Sequence, residues 1–131
     1  MKKILIIEDD PAIRVGLNEA FTNEGYSVTE SDTGNLGFEL AHKNNYDLII
    51  LDLILPGKDG IEICKDLRSD GVKTPVIMVT SRKEEIDKIL GLEMGADDKV
   101  TEPFIIRGVL ARVKALIPRS TFEPGEIEVV A

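Results

Sequence analysis

Short apolar runs alternate along this chain with longer segments in which apolar residues recur every three or four positions. The runs "ILII" and "LIIL" are apolar at every position, a pattern typical of central parallel strands that are buried on both faces. We predict five strands, over 2–7, 26–30, 46–52, 75–79 and 98–101.

The longer segments have helical spacing. In 11–23 the apolar residues recur at four-residue intervals from Ile13 to Phe21, Asp10 is placed to cap a helix, and Pro11 suits its first turn. Further helices are predicted over 35–43, 60–69, 82–94 and 104–117. Five strands that alternate with five helices predict an α/β fold with a parallel sheet covered on both sides.

Composition narrows the class of protein. A chain of 131 residues, 43% apolar and 31% charged, suits one globular domain and indicates neither disorder nor a membrane span. The net charge of −8 disfavours direct binding of nucleic acid. Cys64 is the only cysteine and is interpreted as a helix residue, and no signal peptide is evident at the start, so we expect a cytoplasmic protein.

Acidic residues stand where two of the predicted strands end. Glu8, Asp9 and Asp10 follow the first strand, and Asp52 ends the third. Ligands of open parallel sheets bind at the carboxyl ends of the strands. Carboxylates about 4 to 5 Å apart repel by roughly 3 to 4 kcal/mol per pair at an effective dielectric near 20, so a cation or a proton must offset the charge. Mg²⁺ suits such a site because it accepts one or two carboxylates and keeps positions for water and phosphate oxygens.

Two further features at this edge favour an anion beside the cation. Thr80 follows the fourth strand, and the loop "LPGKDG" (55–60) follows Asp52. A hydroxyl and loop amides could bind phosphoryl oxygens, although Thr80 taken alone could equally cap a helix. We interpret Asp10 as a helix cap and Asp9 and Asp52 as functional residues.

Four segments together resemble the receiver domain of bacterial two-component response regulators, closest to the branch with a winged-helix DNA-binding domain. They are "ILIIEDDPAIRVGL", "YDLIILDLILPGKDGIEICKDLR", "TPVIMVTSRKEEIDKILGLEMGADD" and "EPFIIRGVLARVKALI", and the resemblance covers about residues 2–118. It implies a flavodoxin-like (βα)5 three-layer sandwich with strand order 2-1-3-4-5. The segment 119–131 would then be a linker towards an output domain that alone contacts DNA, or a frayed terminus.

The resemblance also implies a mechanism. Asp52 would accept a phosphoryl group from a sensor histidine kinase, which makes the domain a phospho-acceptor signalling domain rather than an ordinary enzyme. Asp9 and Asp52 would bind Mg²⁺ or Mn²⁺, Glu8 would act through water, and the backbone carbonyl of Ile54 would complete the protein ligands. Thr80 would hydrogen-bond the phosphoryl group and move on activation.

Two positions depart from the family pattern. Glu102 stands immediately before "PF", where the family normally carries a lysine that pairs with the phosphoryl group, and Lys99 stands where an aromatic switch residue is normal. Glu102 turns an attraction into a repulsion, so phosphorylation and switching are in question while metal binding need not suffer. The cations that could substitute are Lys58, Arg82 and Lys83.

The same branch implies a symmetric dimer through the fourth helix, fifth strand and fifth helix. Charged residues match that face at Lys88, Glu93, Asp97, Asp98, Arg112 and Lys114, but Gly108 replaces an acid that would pair with the lysine at 88. We therefore expect a weakened dimer, since exposed ion pairs contribute only about 0 to 1 kcal/mol each.

Other functions compete with a phosphorylated receiver. A degenerate receiver would bind partners independently of phosphate. A small haloacid-dehalogenase-like phosphatase would need an Asp-x-Asp pattern and usually a cap insertion, and "EDDPA" has neither. A flavodoxin or dinucleotide-binding module is disfavoured because no Gly-rich loop follows the first strand.

Overall fold

The computed structural model describes residues 2–79, Ala111, Val113 and the backbone of 127–130. The strands are β1 (Lys3–Ile7), β2 (Ser27–Ser31), β3 (Leu48–Asp52), β4 (Val76–Val79) and β5 (Ile127–Val130), and the helices are α1 (Pro11–Asn23), α2 (Gly34–Lys43) and α3 (Gly60–Ser69). All strand pairs are parallel, in the order β2-β1-β3-β4-β5. The predicted α/β fold is confirmed, and so is the order 2-1-3-4 of the first four predicted strands.

The fifth strand of the described sheet lies in a segment that the sequence did not predict to be a strand. β5 is Ile127–Val130, and it pairs with β4 from Val76 beside Ile127 to Val79 beside Val130. Three of its four residues are apolar and β-branched, which suits a strand. Residues 98–101 lie outside the described ranges.

Two apolar clusters lie on opposite faces of the sheet. Alternation along β1 sends Leu5 and Ile7 towards α2 and α3, and Ile4 and Ile6 towards α1. The first four residues of β3 and all four of β4 are buried, which explains why every one of these residues is apolar. Burial of the Cys64 side chain in the first cluster raises the pKa of its thiol to about 12.

Two of the predicted helices lie largely or wholly beyond the described part of the chain. The helix predicted over 82–94 falls outside it. Of the helix predicted over 104–117, Ala111 and Val113 are described, both are helical, and Val113 is fully buried in the cluster on the α1 side. Among the helices that the structure describes, none has the length and apolar character needed to cross a bilayer.

Candidate functional site

The carboxyl ends of β1 and β3 lie side by side, because Ile7 pairs with Leu51 in the parallel register. Glu8 follows β1 directly and Asp52 is the last residue of β3. One carboxylate oxygen from each of Glu8, Asp9 and Asp52 lies within 4.8 Å of the other two. The structure therefore brings together the three carboxylates that the sequence predicted to meet, here called the acidic cluster.

Burial makes the negative charge of the acidic cluster costly. Desolvation, followed by the hydrogen bond and charge of Asp52, raises the pKa of Glu8 to about 9. Burial also raises the pKa of Asp52, to about 6. Within the described residues no lysine or arginine forms an ion pair with these carboxylates. In this part of the chain, protonation or a bound cation would have to offset their repulsion.

Backbone amides make fixed hydrogen bonds to two of the carboxylates. The amide of Asp10 donates to Oε2 of Glu8 at 3.2 Å, and the amide of Ile54 donates to Oδ1 of Asp52 at 3.3 Å. Each amide favours the ionised form of its carboxylate, but burial outweighs both. These contacts hold one oxygen of each group and leave the rest of the carboxylate for other ligands.

Asp10 has a separate structural role. Its Oδ1 accepts hydrogen bonds from the amides of Ala12 at 2.9 Å and Ile13 at 3.3 Å, as an N-cap residue does. The interpretation of Asp10 as the cap of α1 is confirmed. Of the three consecutive acids, Glu8 and Asp9 belong to the acidic cluster and Asp10 begins the helix.

Two glycines hold the loop after Asp52 close to the sheet. The amide of Gly60 donates to the carbonyl of Leu53 at 2.9 Å, and a Cβ at Gly60 would lie 2.6 Å from the carbonyl oxygen of Asp52. At the start of α2, a Cβ on Gly34 would lie 1.7 Å from the carbonyl oxygen of Lys58. Neither position can accept a side chain without displacing backbone, that of Asp52 for Gly60 and that of Lys58 in the following loop for Gly34.

Lys58 is engaged away from the acidic cluster. Its ammonium contacts the carboxylates of Asp66 and Glu62 on α3, and it lies 4.6 Å from the centre of the Phe38 ring. A lysine held by two carboxylates and an aromatic face would have to break all three contacts to serve another site. Lys58 is thus a poor substitute for the lysine that the family pattern places at position 102.

The part that Arg14 plays near the site was not predicted from the sequence. Its guanidinium Nη1 donates to the backbone carbonyls of Glu8 at 3.0 Å and Asp9 at 3.4 Å, and its Nε donates to Glu30 at 3.2 Å. The available signal was a polar series at four-residue spacing on α1, formed by Arg14, Asn18 and Thr22 beside the apolar stripe. Without the neighbouring strand, that series reads as a solvated helix face.

The remaining predicted site residues lie outside the described part of the chain. Val79 pairs with Asp52, so β4 ends beside the acidic cluster immediately before position 80. The amide of Ile54 is described above, and the predicted role of its carbonyl as a ligand stays a prediction. The residues outside are Thr80, Arg82, Lys83, Lys88, Glu93, Asp97, Asp98, Lys99, Glu102, Gly108, Arg112 and Lys114.

Comparison with known proteins gives one consistent result. The response regulator receiver domain family matches residues 4–114. The chain is 45% identical over 119 residues to the alkaline phosphatase synthesis transcriptional regulatory protein PhoP of Bacillus subtilis, which covers 91% of this chain and 50% of that protein. The chain thus spans about half the length of this curated relative.

Solved structures that resemble this chain include response regulators as well. The receiver domain of the Francisella response regulator 1452 superimposes with a TM-score of 0.80 at 35% identity, covering 92% of this chain and all of that one. The response regulator TrrA from Thermotoga maritima, solved in complex with Mg²⁺-BeF, has a TM-score of 0.75 at 30% identity, covering 88% of this chain and 98% of that one.

Proposed function

Because this chain belongs to the response regulator receiver domain family, we propose that Asp52 is its phosphoryl acceptor. The observation that carries the proposal is the acidic cluster, in which Glu8, Asp9 and Asp52 converge at the carboxyl edge of the parallel sheet. Asp52 ends a buried strand and is partly exposed, so a donor can reach its carboxylate. The haloacid-dehalogenase-like and flavodoxin alternatives are set aside, because the family match covers most of the chain.

In the proposed reaction an oxygen of the Asp52 carboxylate attacks phosphorus in the phosphohistidine of a sensor histidine kinase. An O–P bond to Asp52 forms as the N–P bond to the kinase histidine breaks, and the histidine nitrogen leaves with the electron pair and takes up a proton. Such transfers depend mostly on positioning and charge neutralisation. The amide of Ile54 contributes by holding Oδ1 of Asp52, which leaves the other oxygen free to attack.

The residues present fit a divalent cation such as Mg²⁺ or Mn²⁺. The acidic cluster supplies hard oxygen donors within 4.8 Å of one another, and its raised pKa values mark a negative charge that the described side chains do not offset. Asp9 and Asp52 would hold the ion directly, Glu8 through water, and the Ile54 carbonyl would complete the set. When bound, the ion supplies positive charge that neutralises the attacking and transferred oxygens.

The proposal extends to partners in the longer protein. A sensor histidine kinase would be the donor, and Thr80 would bind the transferred group and couple it to a homodimer face weakened at Gly108. An output domain would follow β5 (Ile127–Val130) in the longer protein, since this chain spans only half of a relative named as a transcriptional regulator. DNA contact would belong to that output domain.

A degenerate receiver is the second candidate function. Glu102 and Lys99 replace the cation and the aromatic residue that the family pattern carries, and Lys58 is held by α3. Such a domain would keep the fold and the cation site and would bind partners without being phosphorylated.

Intact-protein mass after incubation with acetyl phosphate and Mg²⁺ separates the two. We expect wild type to gain the mass of one phosphoryl group and Asp52→Asn to gain none. Asp10→Asn is the matched control, because asparagine also caps a helix and position 10 lies outside the acidic cluster. Wild type that binds Mn²⁺ yet gains no mass would establish the degenerate receiver, and equal labelling of Asp52→Asn would exclude Asp52 as acceptor.

A further inference from the structure

We propose that Arg14 is a positioning residue that sets the cation affinity of the acidic cluster by holding the backbone from which Glu8 and Asp9 project. The inference rests on the proposed function, because it concerns the same cation site. Arg14 touches no carboxylate of the acidic cluster in the structure, so its action runs through the backbone.

The first step is the contact with the turn between β1 and α1. Nη1 of Arg14 donates to the carbonyl oxygens of Glu8 and Asp9, at 3.0 and 3.4 Å. One nitrogen thus holds two consecutive peptide planes, and those planes determine where the Glu8 and Asp9 side chains leave the backbone. On its other side the turn is held by the amide of Glu8, which donates to the carbonyl of Ser31 at 3.0 Å.

The Arg14 side chain is itself held in place by neighbouring polar groups. Its Nε donates to Oε1 of Glu30 on β2 at 3.2 Å, and Nδ2 of Asn18 donates to the other oxygen of Glu30. The hydroxyl of Thr22 donates to Asn18 at 2.9 Å, which fixes the orientation of that amide. The Arg14 side chain is only 17% exposed, so few other rotamers are open to it.

The third step concerns charge. Glu30 pairs with the guanidinium, so the field of Arg14 at the acidic cluster is largely cancelled. What remains is geometry: Mg²⁺ demands a nearly ideal octahedron, and groups that orient the ligands of a metal typically change affinity by about 10- to 100-fold when removed. Loss of the Arg14 contacts should therefore weaken cation binding strongly and have a smaller effect on the stability of the fold.

The test compares Arg14→Met with Arg68→Met, a substitution of an arginine that makes similar contacts elsewhere in the protein. Arg68, in the last turn of α3, also donates to two backbone carbonyls, those of Val72 and Thr74, each at 2.8 Å, and these carbonyls lie in the loop after α3, away from the acidic cluster. Cation affinity would be measured from the electron paramagnetic resonance signal of free Mn²⁺, with Mg²⁺ as competitor. Unfolding temperature would be measured in EDTA, and carbonyl ¹³C shifts of Glu8 and Asp9 would be recorded in metal-free protein.

We expect Arg14→Met to weaken Mn²⁺ and Mg²⁺ binding about 10- to 100-fold and to move the Glu8 and Asp9 carbonyl shifts. Arg68→Met should lower the unfolding temperature and leave cation affinity within about twofold of wild type. Arg14→Lys, which keeps one donating nitrogen and the positive charge, should bind the cation with intermediate affinity. This variant also provides the test if Arg14→Met does not fold.

Two results would overturn the inference. If wild type binds Mn²⁺ and the Arg14 variants bind it equally well, or lose affinity only as Arg68→Met does, Arg14 has a purely structural role while the proposed function stands. If wild type fails to bind either cation, the cation site in the proposed function and this inference both fail.

Discussion

A carboxylate oxygen of Glu8 and one of Asp52 lie within 4.8 Å of each other, where β1 and β3 end side by side. Burial raises the pKa of both carboxyls, and most strongly that of Glu8, so burial favours a proton on Glu8 near neutral pH in the metal-free protein. This relationship links proton binding, cation binding and stability at one site, because the proton and the cation offset the same negative charge.

The stability of the metal-free protein should fall as pH rises from about 4 to about 9. A carboxyl whose pKa is higher in the folded state binds more protons when folded, so it stabilises the fold at low pH. This stabilisation is lost as the pH rises from the pKa of the unfolded state to that of the folded state, which is from 3.8 to about 6 for Asp52 and from 4.5 to about 9 for Glu8. Asp52→Asn should reduce this slope and stabilise the protein at pH 8 by about 1 to 3 kcal/mol. Urea unfolding in EDTA at a series of pH values, with Asp10→Asn as control, measures the free energy of unfolding at pH 8 and its dependence on pH. The same pH dependence in wild type and Asp52→Asn would contradict a contribution from the Asp52 carboxyl.

Affinity for Mg²⁺ should rise with pH over roughly the same interval, because the cation displaces protons that burial favours on Glu8 and Asp52. We expect release of up to about one proton per ion bound at pH 7. Calorimetric titrations in two buffers with different heats of ionisation would give the number directly. Equal heats in both buffers would mean that the site is already deprotonated before the ion arrives.

Glu102→Lys should accelerate phosphorylation by acetyl phosphate roughly tenfold or more, since an ammonium near the transferred group stabilises charge that a carboxylate repels. Adding Lys99→Tyr should strengthen phosphorylation-dependent dimerisation, and we expect the effects of the two changes to be non-additive because they serve one switch. Labelling rates and sedimentation measure the two effects. If wild type already phosphorylates and dimerises as fully as the double variant, another cation does the work of the missing lysine.

Gly34→Ala should destabilise the fold by about 2 to 4 kcal/mol, because the new Cβ would overlap the carbonyl oxygen of Lys58 at 1.7 Å. Gly25→Ala is a suitable control: its Cβ would meet no atom within 4 Å, so only its positive φ of 91° opposes the substitution, at about 1 kcal/mol. Chemical unfolding gives both values. A smaller cost at Gly34 than at Gly25 would show that the loop after Asp52 moves aside easily.

Removal of residues 126–131 should expose the outer edge of β4, which pairs with Ile127–Val130 in the structure. Amide exchange at Val76–Val79 should then accelerate, while exchange in β1 should hardly change because β1 pairs with β2 and β3. Hydrogen–deuterium exchange of the full and shortened chains makes the comparison. Unchanged protection in β4 would indicate that another segment covers the edge after truncation.

Most of the described elements and the chemical type of the site could be predicted from the sequence. Uninterrupted apolar runs are typical of strands buried on both faces, and Asp10 followed by Pro11 marks the start of a helix. The acids after the first and third strands could be assigned to one edge of the sheet, because parallel strands place their carboxyl ends together.

Tertiary structure alone decided which polar groups meet. Arg14 and Glu30 are 16 residues apart in the chain, and only the packing of α1 against β2 brings them into contact. The same holds for the raised pKa of Glu8, which depends on its burial beside Asp52, and for Lys58, which lies on Phe38 and α3 rather than at the acidic cluster. Periodicity specifies which face of an element is apolar, whereas contacts between polar side chains depend on distances and desolvation that exist only once the elements have packed.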